Sequence, residues 1–230
     1  HLGHWYIHFL FYLFSKNSNN PLWTYTTGSD VRAVSISADG EYIAAGSLDY
    51  NIYLFSKDSG TPLWTYDADV TINSVEISAD GEYLAAGAGD VVYLFHKDSN
   101  VPLWDYETNS VVHALSISAD GEYVITSCGY DDVCLFDKDS STPIWSYDAG
   151  DYAYVADISA DGEYIAIGDR SNNIYFFNKG SSTPLWSYEA DDEVDAISIS
   201  ADGKYILAGS DDSKVYAFKN SLADRPSIIP

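Results

Sequence analysis

Five side chains of different chemistry occupy one repeated place in this sequence. Arg32, Asn73, His113, Tyr154 and Asp195 each lie nine residues after a tryptophan, namely Trp23, Trp64, Trp104, Trp145 and Trp186. A guanidinium, an amide, an imidazole, a phenol and a carboxylate supply donors, acceptors, both signs of charge and aromatic faces. Gathered at one mouth, they would make a binding pocket. Drift at solvent-exposed positions would also give variety, and a functional ring and drift stay open; the choice of large polar types is what speaks for the ring. Around them lie Asp30, Thr71, Val111, Tyr152 and Glu193.

Other reactive types are sparse. Glu76 and Asp157 stand where the other copies of the same segment have Ser, so carboxylates are expected on an inner strand, lining a channel or simply solvated by its water. Cys128 and Cys134 flank a hairpin loop in diagonal register, where a disulfide is one outcome and two small buried side chains the other. His1, His4 and His8 are spaced to catch a stray metal, without carboxylate or Cys partners nearby. Asp131-Asp132, Asp191-Asp192-Glu193 and Asp211-Asp212 offer oxygen ligands, yet none follows the loop pattern of a dedicated Ca²⁺ site. There is no Gly-rich phosphate loop, no Gly-x-Ser-x-Gly elbow and no His-Glu-x-x-His. No enzyme activity and no cofactor are expected, beyond weak Ca²⁺ binding.

The elements that position these residues follow from repetition. Ser-Ala-Asp-Gly occurs at Ser37–Gly40, Ser78–Gly81, Ser118–Gly121, Ser159–Gly162 and Ser200–Gly203, and the five Pro-(Leu/Ile)-Trp strings keep the same spacing of 41, 40, 41 and 41 residues. A period of this length marks a solenoid, propeller or array. Each repeat holds four strand-like runs, exemplified by Val31–Ser37 (a), Glu41–Gly46 (b), Asn51–Ser56 (c) and Leu63–Tyr66 (d). They are rich in aromatic and β-branched residues and bounded by Gly, Asp, Ser and Pro. No window has helical periodicity. Each Trp and the Tyr two places later share one face of strand d. Packing between sheets is the expected role of that row; sugar binding is the alternative.

Composition sets outer limits. Thirty-five acidic residues against 11 basic ones give a net charge of −24 over 230 residues. Such a surface repels nucleic acid and disfavours anionic membranes. The apolar run Trp5–Phe14 is too short to span a bilayer, and no basic segment precedes it. Its Tyr12-Leu13-Phe14 lies 41 residues before Tyr53-Leu54-Phe55, so it reads as a strand. The sequence contains no methionine, which suggests a processed product, an excised fragment or a partial reading frame. The compartment leans only slightly towards a secreted or surface location.

The segment Val34–Ser47 followed by Asn51–Phe55 resembles a WD repeat, although the Gly-His and Trp-Asp dipeptides of that family are absent and Phe136-Asp137 is the nearest analogue. Asp137–Trp145 resembles the blade-docking motif of quinoprotein-type propellers. The resemblance implies an all-β fold, a β-propeller of four-stranded antiparallel blades. Five blades are expected, with strand d near Leu22–Thr26 completing the blade of Val194–Phe218. The expected domains are an irregular N-terminal segment at 1–21, the propeller at 22–218 and a tail at 219–230. An excised piece of a larger ring, prone to self-association, is the alternative. On WD-type geometry the a–b and c–d turns share one rim and are uniform here. The d–a and b–c loops share the other and vary. The resulting expectation is a non-catalytic scaffold binding a protein or small ligand through the variable rim. A structural or surface-display array competes with it, and a quinone-dependent oxidoreductase is less favoured.

One physical consequence is open to measurement. Clustered carboxylates repel, and salt screens them beyond about 10 Å at 0.1 M. The thermal midpoint should rise with added salt or millimolar Ca²⁺; a midpoint flat from low to molar salt would refute this.

Overall fold

The computed structural model describes residues 9–130, 132–221 and 224–228, and side-chain environments up to Asn220. His1, His4, His8 and Asp131 lie outside the described residues. Among those described there are strands and turns but no helix.

Five four-stranded antiparallel sheets follow one another along the chain. The first is β3–β6 (Val31–Ile36, Tyr42–Ser47, Asn51–Ser56, Trp64–Asp67), after the hairpin β1–β2 (Leu10–Phe14, Pro21–Thr26). The second is β7–β10 (Ile72–Ile77, Tyr83–Ala88, Val91–His96, Trp104–Glu107), and the third β11–β14 (Leu115–Ile117, Tyr123–Ser127, Asp132–Asp137, Trp145–Asp148). The fourth is β15–β18 (Ala153–Ile158, Tyr164–Asp169, Asn173–Asn178, Trp186–Glu189), and the fifth β19–β22 (Val194–Ile199, Tyr205–Ser210, Val215–Ser221, Asp224–Ile228). These are the blades of a β-propeller. Their five inner strands border one central cavity of about 340 Å³, lined among others by Ser35, Glu76, Ile117, Ile158 and Ile199.

The Ser-Ala-Asp-Gly turn is built by its own side chains. Ser37 Oγ donates to Asp39 Oδ1 at 2.6 Å, and that carboxylate also accepts the Glu41 N–H at 2.9 Å. Gly40 sits at φ +73°, where a β-carbon would be strained. Beside each of the first four of these turns, Lys57, Lys97, Lys138 and Lys179 of the c–d turns bond Glu41, Glu82, Glu122 and Glu163. The lysines are therefore committed to the uniform rim.

The tryptophans join sheet to sheet. Trp23 stacks on Phe55 with ring centroids 5.2 Å apart, and Trp64, Trp104, Trp145 and Trp186 repeat the contact on Phe95, Phe136, Phe177 and Phe218. Four of the indoles donate to the carbonyls of Lys57, Lys97, Lys138 and Lys179 in the next sheet, at 2.7–2.8 Å. The row is packing, not an exposed sugar platform. Among the described indoles, only that of Trp186 has its Nε1 buried without an acceptor. The register of β21 shifts between Lys219 and Ser221, where the equivalent carbonyl would lie.

Closure differs from the expected arrangement. β2 does not complete the last sheet. It pairs with β1 (Leu10 opposite Thr26, Tyr12 opposite Thr24), while β21 pairs with β22. The reason is that Trp23 and Tyr25 already serve β3–β6, as every strand d serves the sheet after it. β1 is thus strand c of a preceding half-sheet rather than a surplus strand. β22 arises from the stretch expected to be tail.

Glu76 and Asp157 stitch inner strands together. Glu76 Oε2 accepts from Ile117 N at 3.1 Å, and Asp157 Oδ2 from Ile199 N at 2.8 Å. Ser35 Oγ does the same for Ile77 N at 3.1 Å. Desolvation, reinforced by the Asp157 charge, pushes the Glu76 carboxyl up to about 7. Desolvation also raises Asp157, against its hydrogen bonds. A carboxyl with a raised folded pKa holds its proton longer than in the unfolded chain, so its contribution is lost as pH rises from the ordinary carboxylate range to about 7. Glu76→Gln keeps an acceptor for Ile117. It should raise unfolding free energy at pH 8 by about 1–3 kcal/mol relative to wild type and by little at pH 4. Denaturant titrations at both pH values test this, and equal differences at the two would refute it.

Candidate functional site

The candidate ring residues share a backbone device. Pairing slips between Val31 and Ala33, between Ile72 and Ser74, between Ala153 and Val155 and between Val194 and Ala196. The unpaired residue at each slip is Arg32, Asn73, Tyr154 and Asp195. A bulge adds one residue to one strand and re-aims its side chain. Here it does so at the start of each inner strand. Opposite the bulge stands a glycine, and necessarily so for Gly46: a β-carbon there would lie 2.4 Å from Ile72 Cγ2 of the next sheet.

The third sheet departs from this scheme. Ser127 replaces the glycine, and β11 begins only at Leu115. Ser127 Oγ instead accepts from His113 N at 2.9 Å and Ala114 N at 3.2 Å. His113 therefore reaches the mouth from irregular backbone held by a hydroxyl. Cys128 and Cys134 form a disulfide with Cα atoms 5.7 Å apart, closing the loop that carries Tyr130.

Arg32, Asn73, His113 and Tyr154, with Val155, line one cavity of about 380 Å³ at the channel mouth. Asp195 is not part of that lining. The Asp195 carboxyl stands beside Asp211, whose own carboxyl it raises above the usual range. The structure also assembles a cluster that comparison of the ring positions alone does not find. His113 lies 5.6 Å from the Tyr154 ring and 6.4 Å from Tyr152, and Tyr130 lies 5.6 Å from Tyr152. The Arg170 guanidinium sits 4.7 Å over Tyr154 and 5.9 Å over Tyr152, and pairs with Glu193 at 3.7 Å. Burial, with a smaller push from Arg170, lowers the His113 pKa, so its imidazole is neutral at pH 7. The neutral ring offers both a donor and an acceptor. Among the described residues, no group of three or more His, Cys, Asp or Glu is placed to hold a metal ion.

Comparison with known proteins agrees with this architecture. The WD domain, G-beta repeat family matches residues 19–56 and 60–105. A chain in a solved structure described as the crystal structure of the mitotic checkpoint complex superposes with a TM-score of 0.75 at 17% identity, over 91% of this chain and 70% of the other. No curated protein matches the sequence. WD-type propellers generally serve as protein-binding scaffolds and are typically not enzymes. The family described as outer membrane protein assembly factor BamB, a quinoprotein-like repeat, matches residues 89–222, more than half of the sequence, and the chain belongs to that family of β-propellers.

Proposed function

We propose that this propeller is a non-catalytic scaffold that binds a protein partner through the variable loop rim, seating a partner side chain in the channel mouth. The observation that carries the reading is the convergence of four chemically different side chains on one cavity, three of them aimed there by a bulge. The opposite rim is one turn repeated five times. A surface selected only for solubility has no need of a different group at each copy.

The lining suits recognition better than turnover. It holds a neutral imidazole, an amide, a phenol and one guanidinium, without a carboxylate among them. The Tyr–Arg cluster beside it is of the kind that dominates binding energy at protein interfaces. A polycarboxylate quinone would call for several free cations. Arg32 is the only cation in the lining, and Arg170 is engaged with Glu193. These residues do not fit that group.

Arg32, His113 and Tyr154 replaced together by Ala should keep the fold and the thermal midpoint within a few degrees. Binding to a partner captured by the wild type should fall at least about tenfold, which corresponds to about 1.4 kcal/mol. Calorimetric titration of both proteins against that partner reads the difference. Equal affinities would remove the mouth from the account and leave a structural array. Saturable uptake of a soluble quinone by the wild type would overturn the non-catalytic reading.

A further inference from the structure

The first inner strand is uncovered where every later one is covered. Val34 and Ile36 on β3 are 58% and 54% exposed, whereas their equivalents Val75 and Ile77 on β7 are 7% and 5% exposed. Ile117, Ile158 and Ile199 are likewise buried. In each later sheet the inner strand packs on strands a and b of the sheet before: β7 on β3 and β4, β15 on β11 and β12, β19 on β15 and β16. Before β3 the described residues supply only β1 and β2, which hold the places of strands c and d. An apolar groove of about 210 Å³ results, lined by Phe11, Tyr12, Leu13, Val34, Ile36 and Ile43. The edge of β1 away from β2 pairs with no other described strand.

We infer that this groove is a docking surface for a two-stranded β-hairpin of the same Ser-Ala-Asp-Gly type, added to the β1 edge as strands b and a. The argument is continuity with an interface the molecule builds repeatedly. The occupant's chemistry follows from the bonds that such an interface makes. Its strand a must carry a hydroxyl or carboxylate to accept the Ile36 N–H, as Ser35, Glu76 and Asp157 accept from Ile77, Ile117 and Ile199. Its turn must offer an N–H to the Ala38 carbonyl, as Ala38 N donates to Ala79 O at 2.9 Å and Ala119 N to Ala160 O at 3.0 Å. Small apolar residues at alternate positions must cover Val34 and Ile36. Backbone pairing supplies affinity and the pockets supply register, which is recognition by strand addition.

The test uses a fluorescein-labelled synthetic peptide with the sequence of Ile72–Ala88, which carries β7, β8 and their turn. Anisotropy should rise saturably when the full chain is titrated into it. Val34→Asp and Ile36→Asp should each weaken binding by about tenfold or more. Leu207→Asp, on the exposed far face of the fifth sheet, should leave it unchanged. A peptide carrying E76A, which lacks the acceptor for Ile36, should bind several-fold more weakly than the parent. No saturation at millimolar peptide, or equal binding by Ile36→Asp, would overturn the proposal. So would sedimentation showing that the chain alone dimerises through this face, because the occupant would then be a second copy. Should the Asp variants unfold, hydrogen exchange on the wild type decides: peptide must slow the Leu10–Phe14 amides, and unchanged rates there overturn the inference.

Discussion

Each sheet of this molecule depends on an indole from the sheet before it. The tryptophan of strand d lays its ring on a phenylalanine of the next strand c and, in every case but Trp186, gives its N–H to the carbonyl of the following c–d turn. The stacking removes a large apolar surface from water and contributes about 0.5–1.5 kcal/mol beyond the area buried. The hydrogen bond prevents a buried donor from being left unmade, which would cost about 1–3 kcal/mol. Because both contacts reach forward by one repeat, strand d belongs energetically to its successor as much as to its own sheet. That is why β2 stays on β3–β6 and does not travel to close the far end. The same constraint forces β1 beside β2, leaving β3 without the cover its sequence is built to receive.

The mouth is a second consequence of close packing between sheets. At the bulge the strand gains a residue, and the partner strand must approach the next sheet with no side chain between. Gly46, Gly87 and Gly168 meet that need, since a β-carbon on them would lie 2.4–2.5 Å from Ile72, Val112 and Val194 of the next sheet. Ser127 does not meet it, so the third sheet gives up its bulge and forms its inner strand late. The irregular stretch that results is what brings His113 against Tyr152 and Tyr154. A local failure of the repeat has therefore produced the most aromatic part of the rim. The disulfide between Cys128 and Cys134 encloses the adjoining loop.

Much of this was legible in the sequence, for a definite reason. Five copies act as an internal alignment, so positions under a shared packing constraint stay constant while free positions differ. Strand bounds came within a residue or so: Val31–Ser37 became Val31–Ile36, and Asn51–Ser56 is unchanged. Arg32, Asn73, His113 and Tyr154 stand out in the sequence by their variety, and in the structure they line one cavity. Asp195 shares their position but turns to Asp211. Arg170 and Tyr130 were missed because they lie in b–c loops, where attention to a single column of the repeat does not reach. The bulges were missed because alternation alone does not reveal one extra residue; the glycine facing each of them was the available signal. Strand counting misplaced β2 because it treats strands as interchangeable. The indole contact makes them directional.

The charge of the chain is best understood through the same repetition. Each copy brings a turn aspartate that bonds its own serine, and the first four bring a glutamate that pairs with a lysine. Loop aspartates are also consumed locally. Asp49 accepts from Gly28 N at 2.6 Å and Tyr53 Oη at 2.8 Å, and Asp169 from Asn173 N at 2.7 Å. The repeated turn thus explains part of the net charge of −24, while the glutamate–lysine pairs cancel and add nothing to it. The cations are more telling because they break the pattern. Arg32, Arg170 and Arg225 are the only arginines in the sequence, and the first two stand at the channel mouth at positions where no other copy has one. In an acidic field a guanidinium is stabilised wherever it is placed, so electrostatics alone does not select that place. A planar donor laid over tyrosine rings, as Arg170 is over Tyr154 and Tyr152, in contrast offers direction as well as charge.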